Sequence, residues 1–308
     1  MVVSDSAHAV PTAPAGRVRT LAAPWRDYVT LTKPRIMSLL VLTAVCAMVA
    51  AAGGEPAVPG LIALVIGGGL ACGGASALNH VIDRDIDRLM GPRTASRPVA
   101  AGRITPGHAV AFALVLLGLS FGVMVEFDNL LAAVLALSGG AYYVVVYTLW
   151  LKRTTPHNIV IGGAAGAIPV LSGWAAAEGH LGLGAVFLFS IVLLWTPPHF
   201  WALALLLERQ YAAARIPMLP VVRGAHATAC QVLVYSIVLV ALTLAPGVVG
   251  TFGVVYLVAA GALGAAFVVL AWRLWRERTP ARAGVLFHFS LLYLALLFVA
   301  VALDAALR

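Results

Sequence analysis

Asn79, Asp83 and Asp87 recur at four-residue intervals. On a helix this spacing places two carboxylates and an amide on one stripe about 12 Å long, with Asp85 turned away from it. Two carboxylates and an amide oxygen, with no lysine between them, make a hard oxygen site. Mg²⁺ favours such partial ligation, completed by water and the oxygens of a phosphorylated substrate. Arg93 and Arg97 follow downstream and offer planar forks for the same oxygens. The chemistry indicated is Mg²⁺-assisted handling of a diphosphate. The plain alternative is a solvated loop in which Asp83, Asp85 and Asp87 pair with Arg84 and Arg88. Against it, the carboxylates continue in register from an apolar helix, and ionisable groups abutting a membrane span are functional candidates.

These groups must be positioned by membrane helices. The chain has 308 residues, 62% hydrophobic and 10% charged, where a soluble domain carries roughly 25% charged residues. Apolar runs occupy about residues 34–52, 58–80, 108–126, 129–150, 158–177, 182–206, 229–248, 252–272 and 285–303, each close to the roughly 20 residues that a spanning helix needs. The expected fold is an all-α polytopic bundle of about nine transmembrane helices. A soluble enzyme, a DNA-binding protein and a disordered tail protein are excluded, and a barrel would need short strands of alternating polarity. Residues 67–77, GGGLACGGASA, supply small side chains that let neighbouring helices approach the stripe. Residues 1–24 are rich in Ala, Pro and Val without a continuous apolar core. They are expected to form a mobile cytoplasmic tail, with 25–308 as a single transmembrane domain.

The net charge of +8 sorts by side. Every Lys and Arg except Arg308 falls on alternating connections, from Arg17, Arg19, Arg26, Lys33 and Arg35 through to Arg273–Arg282. The opposite connections, such as GGEPAVPG and EFDN, are acidic or neutral. The positive-inside bias therefore predicts a cytoplasmic amino terminus, an outer carboxyl terminus and a diphosphate site near the cytoplasmic face. The basic excess needs membrane lipid and topology to explain it, not nucleic acid. Cys46, Cys72 and Cys230 show no CxxC spacing and read as small buried hydrophobes.

The run NHVIDRDIDRLMGPRTASRPVAAGR (residues 79–103) resembles the UbiA superfamily of intramembrane prenyltransferases, through its NxxxDxxxD motif. Met90, Arg93, Thr94, Arg97 and Pro98 extend it in the manner of the branch that farnesylates protoheme IX. LTKPRIMSLLVLTA (31–44), YTLWLKRTTPHNIVIGGAAGAIPVLSGW (147–174) and WTPPHFWALALLLERQYAAARIPMLPVVRG (195–224) are similar to further signatures of that branch. The resemblance runs from about residue 27 to 300. It implies a UbiA-like fold and transfer of the farnesyl group of farnesyl diphosphate to a vinyl group of heme B, with water addition, giving heme O. Heme B is then a substrate, not a permanent cofactor. The resemblance further implies a bacterial plasma membrane setting and a hand-off to a downstream heme-modifying enzyme or heme-copper oxidase assembly. The alternatives are a relative with a quinone or chlorophyll-like acceptor, or a polytopic transporter.

Asp83, Asp87 and Lys152 are thus the expected catalytic groups, with Asn79, Asp83, Asp87 and Glu208 on the metal. Arg93, Arg97, Lys152, Arg153, Lys33 and Arg35 are expected on the diphosphate. Relatives place an Asp where this chain has Gln210, just before Tyr211. Either Glu208 substitutes for it, or Gln210 contributes its amide oxygen, or one metal suffices. Val170 replaces a family proline, a packing change. His199, after Pro197 and Pro198, is either a heme contact or a buried imidazole bonded to a carbonyl freed by proline; His288 poses the same question. Asn158 is a helix cap or a pocket residue, and Tyr147 a diphosphate donor or an interfacial anchor.

Overall fold

The structure, a computed structural model, describes residues 25–308; the expected tail at 1–24 lies outside them. Among the described residues, nine helices are long and apolar enough to cross a membrane. They are Pro34–Ala51, Val58–Ile82, Pro106–Phe127, Leu130–Thr154, Asn158–Glu178, Leu183–Leu206, Leu219–Val248, Val254–Glu277 and Pro280–Ala306, called here the first to ninth spans. A short helix, Trp25–Thr32, precedes the first span. Helices satisfy every backbone group internally, as a bilayer demands. Their ends carry expected signals: Asn129, Thr105 and Thr279 each cap a span by accepting from a backbone N–H three residues on.

Two spans depart from the sequence reading in ways that bear on the site. The seventh span begins at Leu219, ten residues before its apolar run, but Gly224 interrupts it at φ 76°, ψ 171°. That left-handed backbone is open to glycine and strained for other residues, so an amphipathic turn leads into the membrane helix. The fourth span changes at Tyr142 from α-helix to a π-helix that runs to Leu151. The wider winding rotates the following side chains, Thr148 and Lys152 among them, relative to a continuous α-helix.

Packing confirms that alternate connections share an end of the bundle. At one end Arg103 grips Asp27 with two bonds of 2.9 and 3.0 Å, and Lys33 meets Asn79. At the other, Asn129 donates to the Ala175 carbonyl, Asp304 accepts from the Gly253 and Tyr256 amides, and Arg308 reaches the Thr251 carbonyl. The second span packs along the third, the fifth along the first and fourth, and the sixth to ninth along one another. The main apolar core runs through the first and the fifth to ninth spans. The fifth span approaches the first so closely that a Cβ on Gly173 would strike the Ala44 carbonyl. Val170, at the position of the family proline, is fully buried in that core.

Candidate active site

The second span ends at Ile82, and Asp83 (φ −86°, ψ 6°) links it to a short helix, Arg84–Leu89. The stripe survives the break because the i→i+4 bonding continues: the Asp83 amide donates to the Asn79 carbonyl and the Asp87 amide to the Asp83 carbonyl. Asn79, Asp83 and Asp87 are all almost wholly buried, at 1–2% exposure. Asp85 points away, as expected, with its side chain 60% exposed.

Each buried carboxylate is half satisfied. Lys152 Nζ donates to Asp83 Oδ2 at 2.5 Å, and Arg97 Nη1 to Asp87 Oδ1 at 2.6 Å. Asp83 Oδ1 and Asp87 Oδ2 are buried with no hydrogen-bond partner. Unpaired buried carboxylate oxygens are costly, and two of them on one stripe fit the donor set of a hard divalent cation. Asn79 is engaged through both amide atoms: its Oδ1 accepts from Lys33 Nζ at 2.8 Å, while its Nδ2 donates to Asp83 Oδ2 and to Thr148 Oγ1.

Lys33, Arg97 and Lys152 therefore converge on the stripe from the first turn of the first span, the loop after the second and the end of the fourth. Lys33 adopts a left-handed backbone, φ 52°, ψ 58°, as the cap before Pro34, which folds its side chain back over Asn79. Burial, with Arg97 and Lys152 close by, pushes its ammonium down to about 7. Burial also raises the Asp87 carboxyl above the ordinary carboxylate range. A cluster with three cations around two carboxylates retains a positive excess, suited to a diphosphate.

The other candidates distribute differently. Arg153 forms a fork on Asp85 at 2.9 Å and donates to the Ile82 carbonyl, with Asp83 Oδ1 further off at 3.7 Å. That hydrogen bond holds the Asp85 carboxyl down at about 2. Arg93 is exposed, because Gly91 at φ 122° turns the helix Pro92–Ala95 outward. Arg35 is exposed on the first turn of the first span, past Pro34. Neither joins the cluster. The solvated-loop alternative is also corrected: Arg88 donates to the Ala100 carbonyl, and the aspartates take Lys152, Arg153 and Arg97 instead of Arg84 and Arg88.

Glu208 and Gln210, at the same end of the bundle as the stripe, line a cleft of about 410 Å³ with Leu205, Arg209 and Pro280, and no hydrogen bond joins either to the Asp83–Asp87 stripe. Tyr211 is buried in an apolar cluster with Tyr147, Ile86 and Ile159. Tyr147 is partly buried, against Tyr143 at 5.6 Å and over Gly162. Trp25, Trp150 and Trp272, by contrast, are exposed near that end. Asn158 is fully buried, and neither amide atom has a partner; its side chain does not cap the helix it heads. His199 bonds to Ser290, not to a carbonyl freed by proline. His288 is exposed and bonded to the Gly284 carbonyl.

Thr148 and Ser290 are the contacts that sequence reasoning misses. For Thr148 a signal existed, since it precedes Lys152 by one turn. For Ser290 there is none.

The profile of the UbiA prenyltransferase family matches residues 40–301. The chain is 52% identical over 291 residues to a protoheme IX farnesyltransferase of Gloeobacter violaceus, covering 94% of each. It is 49% identical over 281 residues to one of Roseiflexus castenholzii, covering 91% of this chain and 52% of that longer protein. In fold it is similar to a UbiA homolog from Archaeoglobus fulgidus bound to DMAPP and Mg²⁺, with a TM-score of 0.70, 16% identity, and 91% and 99% of the two chains covered. Nine apolar helices among the described residues and a buried aspartate stripe facing three cations agree with that match: this chain is an integral membrane protein and belongs to the UbiA prenyltransferase family.

Proposed function

We propose that the chain transfers the farnesyl group of farnesyl diphosphate to a vinyl group of protoheme IX, with addition of water, and releases heme O and diphosphate. The observation that carries the reading is the likeness, near 50% over most of the chain, to proteins named protoheme IX farnesyltransferase. The cluster supplies the matching chemistry. A prenyl diphosphate with Mg²⁺ is also what the Archaeoglobus homolog, of the same fold, is bound to.

Asp83 and Asp87, each with one unpartnered oxygen, would hold Mg²⁺, with the Asn79 amide beside them. Bound there, the ion supplies Lewis-acid neutralisation of the leaving diphosphate. Lys152, Arg97 and Lys33 exchange carboxylate or amide partners for phosphate oxygens as the substrate arrives, and so stabilise the charge that develops on departure. The C–O bond to diphosphate breaks with its electron pair. The terminal carbon of the heme vinyl attacks the allylic cation, and water captures the new cation with loss of a proton. Asp85 keeps Arg153 as a second line of positive charge at the rim.

The farnesyl chain lies in an apolar cleft of about 470 Å³ between the first and second spans, lined by Pro34, Val41, Val45, Val65 and Gly69. Pro34 adjoins Lys33, so head and tail sites meet. The surrounding apolar bundle keeps water from the cation until the vinyl group has added. His199 contacts the heme, with Asn158 as a further pocket residue. The charge distribution supports an amino terminus and active site on the cytoplasmic side of a bacterial plasma membrane, with the carboxyl terminus outside. Heme O passes on to a heme-modifying enzyme or heme-copper oxidase assembly.

The test supplies heme B, farnesyl diphosphate and Mg²⁺ to membranes containing the protein. The expected product is a heme heavier by one farnesyl group and one hydroxyl, and more strongly retained on a reversed-phase column. Unchanged heme B alongside an active control enzyme overturns the assignment.

A further inference from the structure

The ring of His199 is fixed from several directions. It stacks on Trp195, with centroids 4.2 Å apart and planes 14° apart, and on Phe287 at 5.0 Å and 23°. Its Nδ1 lies 2.6 Å from Ser290 Oγ. The Ser290 hydroxyl donates to the Phe287 carbonyl at 2.6 Å, and Trp195 Nε1 donates to the Ser290 carbonyl at 2.8 Å. Sixth and ninth spans are thereby locked around one imidazole.

A hydroxyl owns one proton. With that proton committed to the Phe287 carbonyl, only an Nδ1–H can fill the short contact between His199 and Ser290. The neutral ring is then the Nδ1–H tautomer, its lone pair is on Nε2, and no hydrogen bond occupies Nε2 among the described residues. This arrangement is what a metal-bound imidazole requires: one nitrogen anchored to an acceptor, which fixes ring orientation and raises basicity, and the other nitrogen presented.

We propose that Ser290 is a positioning residue that holds His199 as the Nδ1–H tautomer and presents Nε2 to the iron of the heme substrate. The inference rests on the reading of His199 as the heme contact. Ser290 touches neither iron nor porphyrin; it acts through the imidazole.

The test uses the full-length protein in detergent, titrated with heme B. Affinity is read from the Soret band, and the iron–histidine stretching mode of the ferrous complex from resonance Raman spectra. His199→Ala is expected to remove the mode. Ser290→Ala is expected to weaken heme binding roughly ten- to hundredfold and to shift the mode to lower frequency, because the ligand loses its acceptor. Ser290→Thr keeps a hydroxyl and should restore both. A serine that served packing alone would leave the frequency unmoved. If the mode survives in His199→Ala, the heme-contact reading itself fails. If it disappears there but is unshifted in Ser290→Ala, the ligand stands and the role given to Ser290 is overturned.

Discussion

Lys152 Nζ lies 2.5 Å from Asp83 Oδ2, a contact across 69 residues between the end of the fourth span and the end of the second. The Asp83 side chain is 1% exposed and that of Lys152 11%. Removing one partner of a buried pair leaves an uncompensated charge, which costs about 3–5 kcal/mol. Lys152→Met should therefore destabilise the protein by that order and abolish turnover. Combining it with Asp83→Asn removes the stranded charge, so unfolding in detergent should return close to the wild-type midpoint while turnover stays at least about a hundredfold down. A double variant as unstable as Lys152→Met alone would mean that the pair is not the stabilising unit described.

The metal requirement should follow the orphaned oxygens. EDTA should stop turnover and Mg²⁺ restore it. Asp87→Asn removes a charged donor at Oδ2 and should raise the Mg²⁺ concentration for half-maximal rate by about tenfold or more, a change worth roughly 1.4 kcal/mol. Glu208→Gln and Gln210→Asp, in a separate cleft, should each leave that concentration within about twofold, a shift well under 1 kcal/mol. A tenfold shift in Glu208→Gln would bring that carboxylate to the ion and restore the second-metal option.

What the sequence discloses about this site follows the range of the interaction. The Asn79–Asp83–Asp87 stripe is legible because four-residue spacing is a local property, and it persists through the helix break at Asp83. Lys152 is legible from charge side alone, since all basic connections but one end share the same face of the bundle. Lys33 and Arg35 look alike in sequence, two residues apart. Only the left-handed turn at Lys33 decides that one folds onto Asn79 and the other faces outward. Arg93 and Arg97 are also alike in sequence, yet one is exposed and the other bonds to Asp87. Thr148 depends on the π-helical winding, and Ser290 on how the sixth and ninth spans cross; neither has a signature in one dimension.

Gly173 is expected to be intolerant of any side chain. A Cβ there would meet the Ala44 backbone carbonyl, which cannot rotate away. Gly173→Ala should thus force the first and fifth spans apart and cost about 1–3 kcal/mol, as overpacking does. Lys33 caps the start of the first span, so turnover should fall along with the thermal midpoint. Gly166, on the same span with open space beside it, supplies the control: Gly166→Ala should leave both within error.

Asp128, in the turn between the third and fourth spans, gives the stability a pH dependence of its own. Both carboxylate oxygens lack a hydrogen-bond partner, and burial pushes the carboxyl up to about 7. An unfolded Asp titrates near 3.9. Between about pH 4 and 7 the folded state therefore holds a proton that the unfolded state has lost, and linkage makes stability fall as pH rises through that window. Below pH 4 both states are protonated and the contribution is fully present; above pH 7 it is gone. The group is half-buried, so water screens part of the effect. Asp128→Asn presents a neutral side chain of similar shape at every pH. Thermal unfolding in detergent should show the variant gaining on the wild type from pH 5 to pH 8, and the difference between the two should flatten above pH 8. A difference that stays constant across that range would mean the Asp128 carboxyl titrates at an ordinary value.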